Sequence, residues 1–214
     1  MKKTLTTTIL ILIMYGIPLA GKPDAILTVK IFVCAIGAAI LFMSQPAMNA
    51  REAKDKRSTD RNSIYAILIA ALAGQITSVV EWAYVMGDPM GIRNPFIAGL
   101  GLAMITGGLW FRLWAIHTLG KFFTATVQIK TDHRVVDSGP YRLVRHPSYL
   151  GALIAVVGSG LFLEATIGTV VCVVTMLAAY WIRIGAEEIA LVNALGDAYK
   201  VYQRRTKRLI PLIW

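Results

Sequence analysis

Hydrophobic positions gather into six blocks, at about 4–20, 26–48, 64–86, 96–117, 149–164 and 166–184, with short polar stretches between them. A helix needs roughly 20 apolar residues to cross a hydrocarbon core of about 30 Å, and most of the blocks approach that length. The last two are parted only by "LEAT" around Glu164, which leaves room for nothing but a tight helical hairpin. The pattern predicts an all-α fold: a polytopic membrane bundle of five to six transmembrane segments, closed by that hairpin. The polar connections contain no long Pro/Gly/Ser-rich linker, so residues 1–214 are expected to form one integral membrane domain. The first block has the outline of a cleaved signal peptide, but "IPLAGKPD" offers no clean small-x-small site and a retained helix is expected.

Composition supports the membrane reading: 56% of the residues are apolar and only 16% are charged. A net charge of +10 in a soluble chain would suggest nucleic acid. Here topology accounts for it, because lysine and arginine collect in cytoplasmic loops. With Lys2, Lys3, the 51–61 loop, the 118–148 segment and the tail on one side, that side holds 17 of the 22 basic residues. Both termini and both large loops are therefore expected to be cytoplasmic, and no nucleic-acid partner is implied. Cys34 and Cys172 lie inside apolar blocks without metal-ligand spacing, so neither a metal site nor a disulfide is expected.

Glycine and alanine recur closely in "FIAGLGLAMITGG" (96–108) and "GALIAVVGSG" (151–160). Small residues let membrane helices approach one another, and "GSG" has no strand before it to make a nucleotide loop. Gln75, Glu81 and Arg112 are polar groups within apolar blocks. They are read either as one buried structural network or, for Glu81 and Arg112, as groups snorkelling to an interface.

Chemistry concentrates after residue 118. In "SGPYRLVRHPSYLG" (138–151), Pro147 disfavours helix at His146 and suits the first turn of the helix that follows. Ser148, Tyr149 and Leu150 are then expected to present backbone N–H groups, flanked by Arg145 and His146, at an end suited to electron-rich ligands. Arg183 and Glu187 stand four apart on one helical face, with Glu188 beside it. Ile189 to Tyr202 carries the spacing of an amphipathic helix lying along the membrane, and "RRTKR" suits anionic lipid headgroups.

Taken in order, "HRVVDSGPYRLVRHPSYLG" (133–151), R-x-x-x-E-E at 183–188 and "GDAYKVYQRRTKRLIP" (196–211) resemble the isoprenylcysteine carboxyl methyltransferase family. That family lies within a wider group of membrane methyltransferases that includes phospholipid N-methyltransferases and small-thiol methyltransferases. The resemblance covers residues 112–214; the first 110 residues match in hydropathy alone. It implies S-adenosyl-L-methionine bound in a cytoplasmic pocket, and a lipophilic acceptor entering from the bilayer. The acceptor expected from the resemblance is the carboxylate of an isoprenylcysteine-like substrate, with a phospholipid amine or a thiol as alternatives. Carried over by position, the cofactor contacts are Gln128, His133, Arg134, Val135, Val136, Tyr141, His146, Pro147, Ser148, Tyr149 and Glu187. Arg183 is expected to face the acceptor carboxylate, with Glu187 and Glu188 as its catalytic companions. On this reading residues 1–117 are scaffold helices, and 118–214 form the cofactor-binding and catalytic half with a cytoplasmic C-terminal helix. A non-enzymatic membrane protein or transporter would instead line a path with charges, and only Glu81 and Arg112 are available for one.

Overall fold

The computed structural model describes residues 2–46, 59–86, 91–124 and 134–210. The described residues form helices: α1 (Lys2–Ile11), α2 (Pro23–Ile26), α3 (Val29–Ser44), α4 (Thr59–Val80), α5 (Pro95–Leu119), α6 (Pro147–Phe162), α7 (Thr166–Leu195) and α8 (Asp197–Arg205). α1 and α4 each run on into a π turn, Leu12–Gly16 and Glu81–Val85. Short 3₁₀ turns lie at Gly120–Phe122 and Gly139–Arg142. Three stretches are long and apolar enough to cross a bilayer, Ser63–Val85, Pro95–Phe122 and Thr166–Leu195; α3 and α6 are apolar but shorter. Many large apolar side chains face outward, among them Phe32, Ile36, Phe96, Val170 and Val174. Such a surface suits acyl chains and not water. This is an integral membrane protein.

Local sequence sets the helix ends. Asn94 caps α5 by accepting the N–H groups of Phe96 (3.1 Å) and Ile97 (3.2 Å), and Pro95 occupies its first turn. The α6–α7 hairpin needs only Leu163–Ala165, with Glu164 in the left-handed region at φ 60°. Burial works against ionisation of the Glu164 carboxyl, but Lys30 (2.7 Å) and the N–H groups of Asn94 and Arg93 outweigh it and hold its pKa below the ordinary value. Glu81 caps the other side of the same turn, accepting Ile167 N–H (3.1 Å) and Gly168 N–H (2.8 Å) at the start of α7.

The small residues do what their spacing suggested. A β-carbon on Gly108 would lie 2.6 Å from Ala155 N, and one on Gly151 would lie 2.6 Å from Arg112 N. Backbone therefore packs on backbone along α5 and α6, where dispersion between closely spaced chains replaces the missing hydrophobic drive. α4 meets α7 in the same manner, Gly74 against Cys172.

Two expectations change. Gln75, Glu81 and Arg112 are not one network. α4 and α5 run in opposite directions, so Glu81 lies near the hairpin end, Arg112 near the other end, and Gln75 between them on α4. Nor do residues 189–202 form one surface helix. α7 continues eleven residues past its apolar block to Leu195, and Gly196 at φ 58° then breaks it from α8. Glu188, within the extension, is buried, as are Arg183 and Ile184 just before it.

Candidate functional site

All the long basic segments of the described chain converge on one end of the bundle, where α1, α4 and α6 start and α3, α5 and α7 finish. Pro147 begins α6 there as expected. Leu150 N–H is not free, since it closes the first helical turn onto His146 C=O at 3.2 Å; only Ser148 and Tyr149 carry the expected N-terminal positions.

A small polar cavity opens at this end. Its lining includes Arg134, Val135, Val136, Tyr141, His146, Ser148, Tyr149 and Glu187 from the expected set. Gln128 and His133 lie outside the described residues, and Pro147 is fully buried behind the lining. The sequence reading missed the aromatic share: Phe122, Phe123, Tyr199 and Tyr202 also line the cavity. The tyrosine spacing in "DAYKVY" was visible but read as an apolar surface face. Burial pushes the Tyr141, Tyr199 and Tyr202 phenols above their ordinary values, and the carboxylates of Glu187 and Glu188 add to the effect at Tyr199.

Glu187 and Glu188, adjacent in sequence, serve different surroundings. Glu187 Oε2 accepts from Tyr149 OH at 2.9 Å and its side chain stays 24% exposed at the cavity. Glu188, expected beside the reacting groups, is instead gripped outside the cavity lining. Its carboxylate meets Arg145 Nε (2.7 Å), His146 Nε2 (3.2 Å), Gln203 Nε2 (3.3 Å) and Arg208 Nη2 (2.9 Å). Backbone bonds from Arg145 N–H to Lys207 C=O (2.8 Å) and from His146 N–H to Arg208 C=O (3.1 Å) complete the knot. It ties the tail across the start of α6.

A second, larger cavity of about 300 Å³ runs from the same end toward the middle of the bundle. It is mostly apolar, lined by residues of α1, α3, α4, α5, α6 and α7, so both halves of the chain build it. Tyr149 and Arg183 line both cavities. Arg183 is 3% exposed; its Nε donates to Tyr149 OH at 3.1 Å and its Nη1 to Ser63 Oγ at 3.3 Å. Arg112 also lines the large cavity at 1% exposure. It donates from Nε to Ser44 Oγ (3.0 Å) and from Nη1 to Ser148 C=O (2.9 Å), while Nη2 has no hydrogen-bond partner among the described residues. A buried guanidinium nitrogen left without a partner is costly.

The fold and site thus define a class: an intramembrane helical bundle in which a polar cavity and an apolar one meet at a tyrosine and an arginine. A family model for the isoprenylcysteine carboxyl methyltransferase (ICMT) family matches residues 100–193. Protein-S-isoprenylcysteine O-methyltransferase B of Arabidopsis thaliana is 34% identical over 141 residues, 64% of this chain and 72% of that protein. A relative from Oryza sativa subsp. indica, described as a probable protein-S-isoprenylcysteine O-methyltransferase, is 32% identical over 120 residues, 55% of this chain. The match spans 63% of the rice protein's length. The solved structure of the eukaryotic intramembrane Ras methyltransferase ICMT shares the fold, with a TM-score of 0.53, 22% identity, and coverage of 86% of this chain and 77% of that one. The chain belongs to the isoprenylcysteine carboxyl methyltransferase family.

Proposed function

We propose that the protein is a membrane-embedded methyltransferase that uses S-adenosyl-L-methionine to methylate the carboxylate of an isoprenylcysteine-like lipid, on the cytoplasmic side. The observation that carries this reading is the junction of the two cavities at Tyr149 and Arg183, with Arg112 Nη2, which has no hydrogen-bond partner among the described residues, on the apolar side.

The lining of the polar cavity suits the cofactor. Glu187 answers a cationic centre, Arg145 and the N–H groups at the start of α6 answer a carboxylate, and Phe122, Phe123 and Tyr199 offer faces to a flat ring. The cavity is about 100 Å³, below the roughly 300–1,000 Å³ of ligand pockets, so its partly buried rim of Phe122, Phe123 and Leu195 must part on binding. Bound S-adenosyl-L-methionine supplies a methyl group made electrophilic by its sulfonium.

The chain's own residues do the rest. Tyr149 OH joins Arg183 to Glu187, so the groups facing the acceptor and the cofactor are held in one fixed register. A carboxylic acid with a reference pKa near 4 is already ionised at neutral pH, so no base is required. Arg183 and Arg112 hold that anion in a place the bundle keeps from water, where charge-assisted bonds are strong. The same two guanidiniums disfavour an amine acceptor, which would bring a cation to cations, and a thiol would leave them unanswered. Glu188 is assigned a positioning role, since it fixes Arg145 and His146. The test is a methyl-transfer assay with labelled cofactor and prenylcysteine, phospholipid and thiol acceptors. Base-labile methyl ester on the prenylcysteine is expected; label only on phospholipid or thiol would overturn the reading.

A further inference from the structure

Four exposed aromatic rings mark one height on the bundle. Trp110 and Trp114 pack together on α5 at 5.3 Å, on either side of Arg112. Trp181 precedes Arg183 by two residues on α7, and Tyr65 follows Ser63 by two on α4. Arg112 donates to Ser148 C=O and Arg183 to Ser63 Oγ, so three helices bring these rings to the level where the two cavities meet. Exposed tryptophan and tyrosine gather where hydrocarbon gives way to headgroups. What stands just beyond this belt therefore stands among headgroups.

The surface at that height is basic. Arg145, three residues before Ser148, is at most about 11 Å of chain from the belt. Its N–H donates to Lys207 C=O (2.8 Å), and Val144 forms a bridge with Lys207. The polar layer flanking the hydrocarbon is about 5–8 Å deep, so the exposed side chains of Arg142, Leu143 and Lys207 reach it. Arg204 and Val201 continue the patch along the outward face of α8. Arg205 and Lys200 are answered by Asp137 (3.7 Å) and Asp197 (3.0 Å). The side chains of Arg142, Arg204 and Lys207 have no partner among the described residues. The other face of the same segments is the cavity wall: Tyr141 adjoins Arg142, Tyr199 and Tyr202 flank Lys200 and Val201, and Tyr202 OH donates to Tyr141 C=O at 2.7 Å.

We propose that Arg142, Leu143, Val201, Arg204 and Lys207 dock onto anionic phospholipid of the adjoining leaflet, and that this contact braces the tyrosine wall of the polar cavity from behind. Charge and height together select the partner. Unpaired cations at headgroup level attract anionic lipid, and Leu143 (57% exposed) and Val201 (49%) between them suit the boundary of headgroup and acyl chain. The bracing rests on the reading of the polar cavity as the cofactor's; the docking does not. Because the two binding events share one wall, each strengthens the other by the same factor.

The experiment reads docking and cofactor binding separately. The full chain is placed in nanodiscs of phosphatidylcholine alone and of phosphatidylcholine mixed with phosphatidylglycerol. An environment-sensitive dye on Leu143→Cys reports docking, since Cys34 and Cys172 are buried, and S-adenosylhomocysteine affinity is measured on the unlabelled protein. Dye emission should shift to the blue in the anionic nanodiscs, and S-adenosylhomocysteine should bind at least about fivefold more tightly there. High salt should erase both effects. Replacing Arg142, Arg204 and Lys207 together by glutamine should also erase them, while keeping the Tm and the affinity seen in neutral nanodiscs. Equal emission in the two nanodiscs overturns the docking, and a shift without tighter S-adenosylhomocysteine overturns the bracing. Polyglutamate that reproduces both effects in neutral nanodiscs would assign the patch to an acidic polypeptide and overturn the lipid proposal. A dye shift with S-adenosylhomocysteine bound in neither nanodisc would overturn the cofactor reading, and the bracing with it, while the docking stands.

Discussion

The two cavities share Tyr149 and Arg183 but are made of opposite materials. The polar one is assembled from two groups of residues after 118, Leu119 to Tyr149 and Arg183 to Tyr202, where charged and aromatic residues are held by a hydrogen-bonded knot. The apolar one draws on six helices and owes its space to small side chains. The difference teaches where each kind of function is encoded: charge chemistry in local motifs, shape in the meeting of distant segments. Breaking the first should change affinity for a charged ligand, whereas breaking the second should change which chains fit, or whether the bundle closes at all.

The largest effect is expected at the seam that brings the walls of the apolar cavity together. Gly108→Leu would drive a side chain into the backbone of Ala155, so little folded protein should survive detergent extraction, as measured by size-exclusion chromatography. Gly107→Leu, one residue away with nothing within 4 Å of its added β-carbon, should behave as the unaltered protein. Next is the knot beneath the polar cavity. Glu188→Ala leaves the guanidiniums of Arg145 and Arg208 without their buried partner, a loss of about 3–5 kcal/mol, and should lower Tm by roughly 10 °C. Limited proteolysis should then cut within residues 197–210 first.

Smaller and more selective is Arg183→Lys. A lysine keeps the charge but loses the planar fork, so turnover should fall at least about tenfold, near 1.4 kcal/mol, with S-adenosylhomocysteine affinity kept within a few-fold. Loss of cofactor affinity instead would mean that Arg183 serves the polar cavity more than the apolar one.

The smallest effects are those of pH, and they separate the two ends of the bundle. Glu164 has a lowered folded pKa, so its contribution at the hairpin is present above the ordinary carboxyl value and is lost as pH falls through the lowered one. Tyr141, Tyr199 and Tyr202 have raised folded values, so their contribution is full below the ordinary phenol value near 10 and is lost as pH rises past it. Acid should loosen hydrogen-exchange protection first around 163–168, and alkali first around 139–145 and 197–206.

The same contrast explains what the sequence made legible. Helix positions followed from hydropathy, and the glycine seams from their spacing, because both are periodic along one segment. Most of the polar cavity was legible too, since Arg134 to Glu187 lie within two motifs. Arg112 was read as a structural charge because its meaning depends on Ser44 of α3 and Ser148 of α6, which only the fold brings beside it. Glu188 was grouped with Glu187 because adjacency in sequence does not reveal that one helix face meets the cavity and the next meets the tail. The hydrogen bonds that Tyr15 and Ser159 donate to Gln75 join residues 60 and 84 positions apart and leave no local trace.

The central claim is that cofactor and acceptor occupy different cavities that meet at Tyr149 and Arg183. It is tested most directly by measuring two affinities on two variants, each probe with the purified full chain: S-adenosylhomocysteine, and an S-prenyl thioether acid. Glu187 lines only the polar cavity of the two and Arg112 only the apolar one. Glu187→Gln should weaken S-adenosylhomocysteine at least about tenfold and leave the prenyl acid within about threefold, and Arg112→Gln should do the reverse. If either variant weakens both ligands equally while keeping the unaltered Tm, the two cavities are one site and the account is wrong.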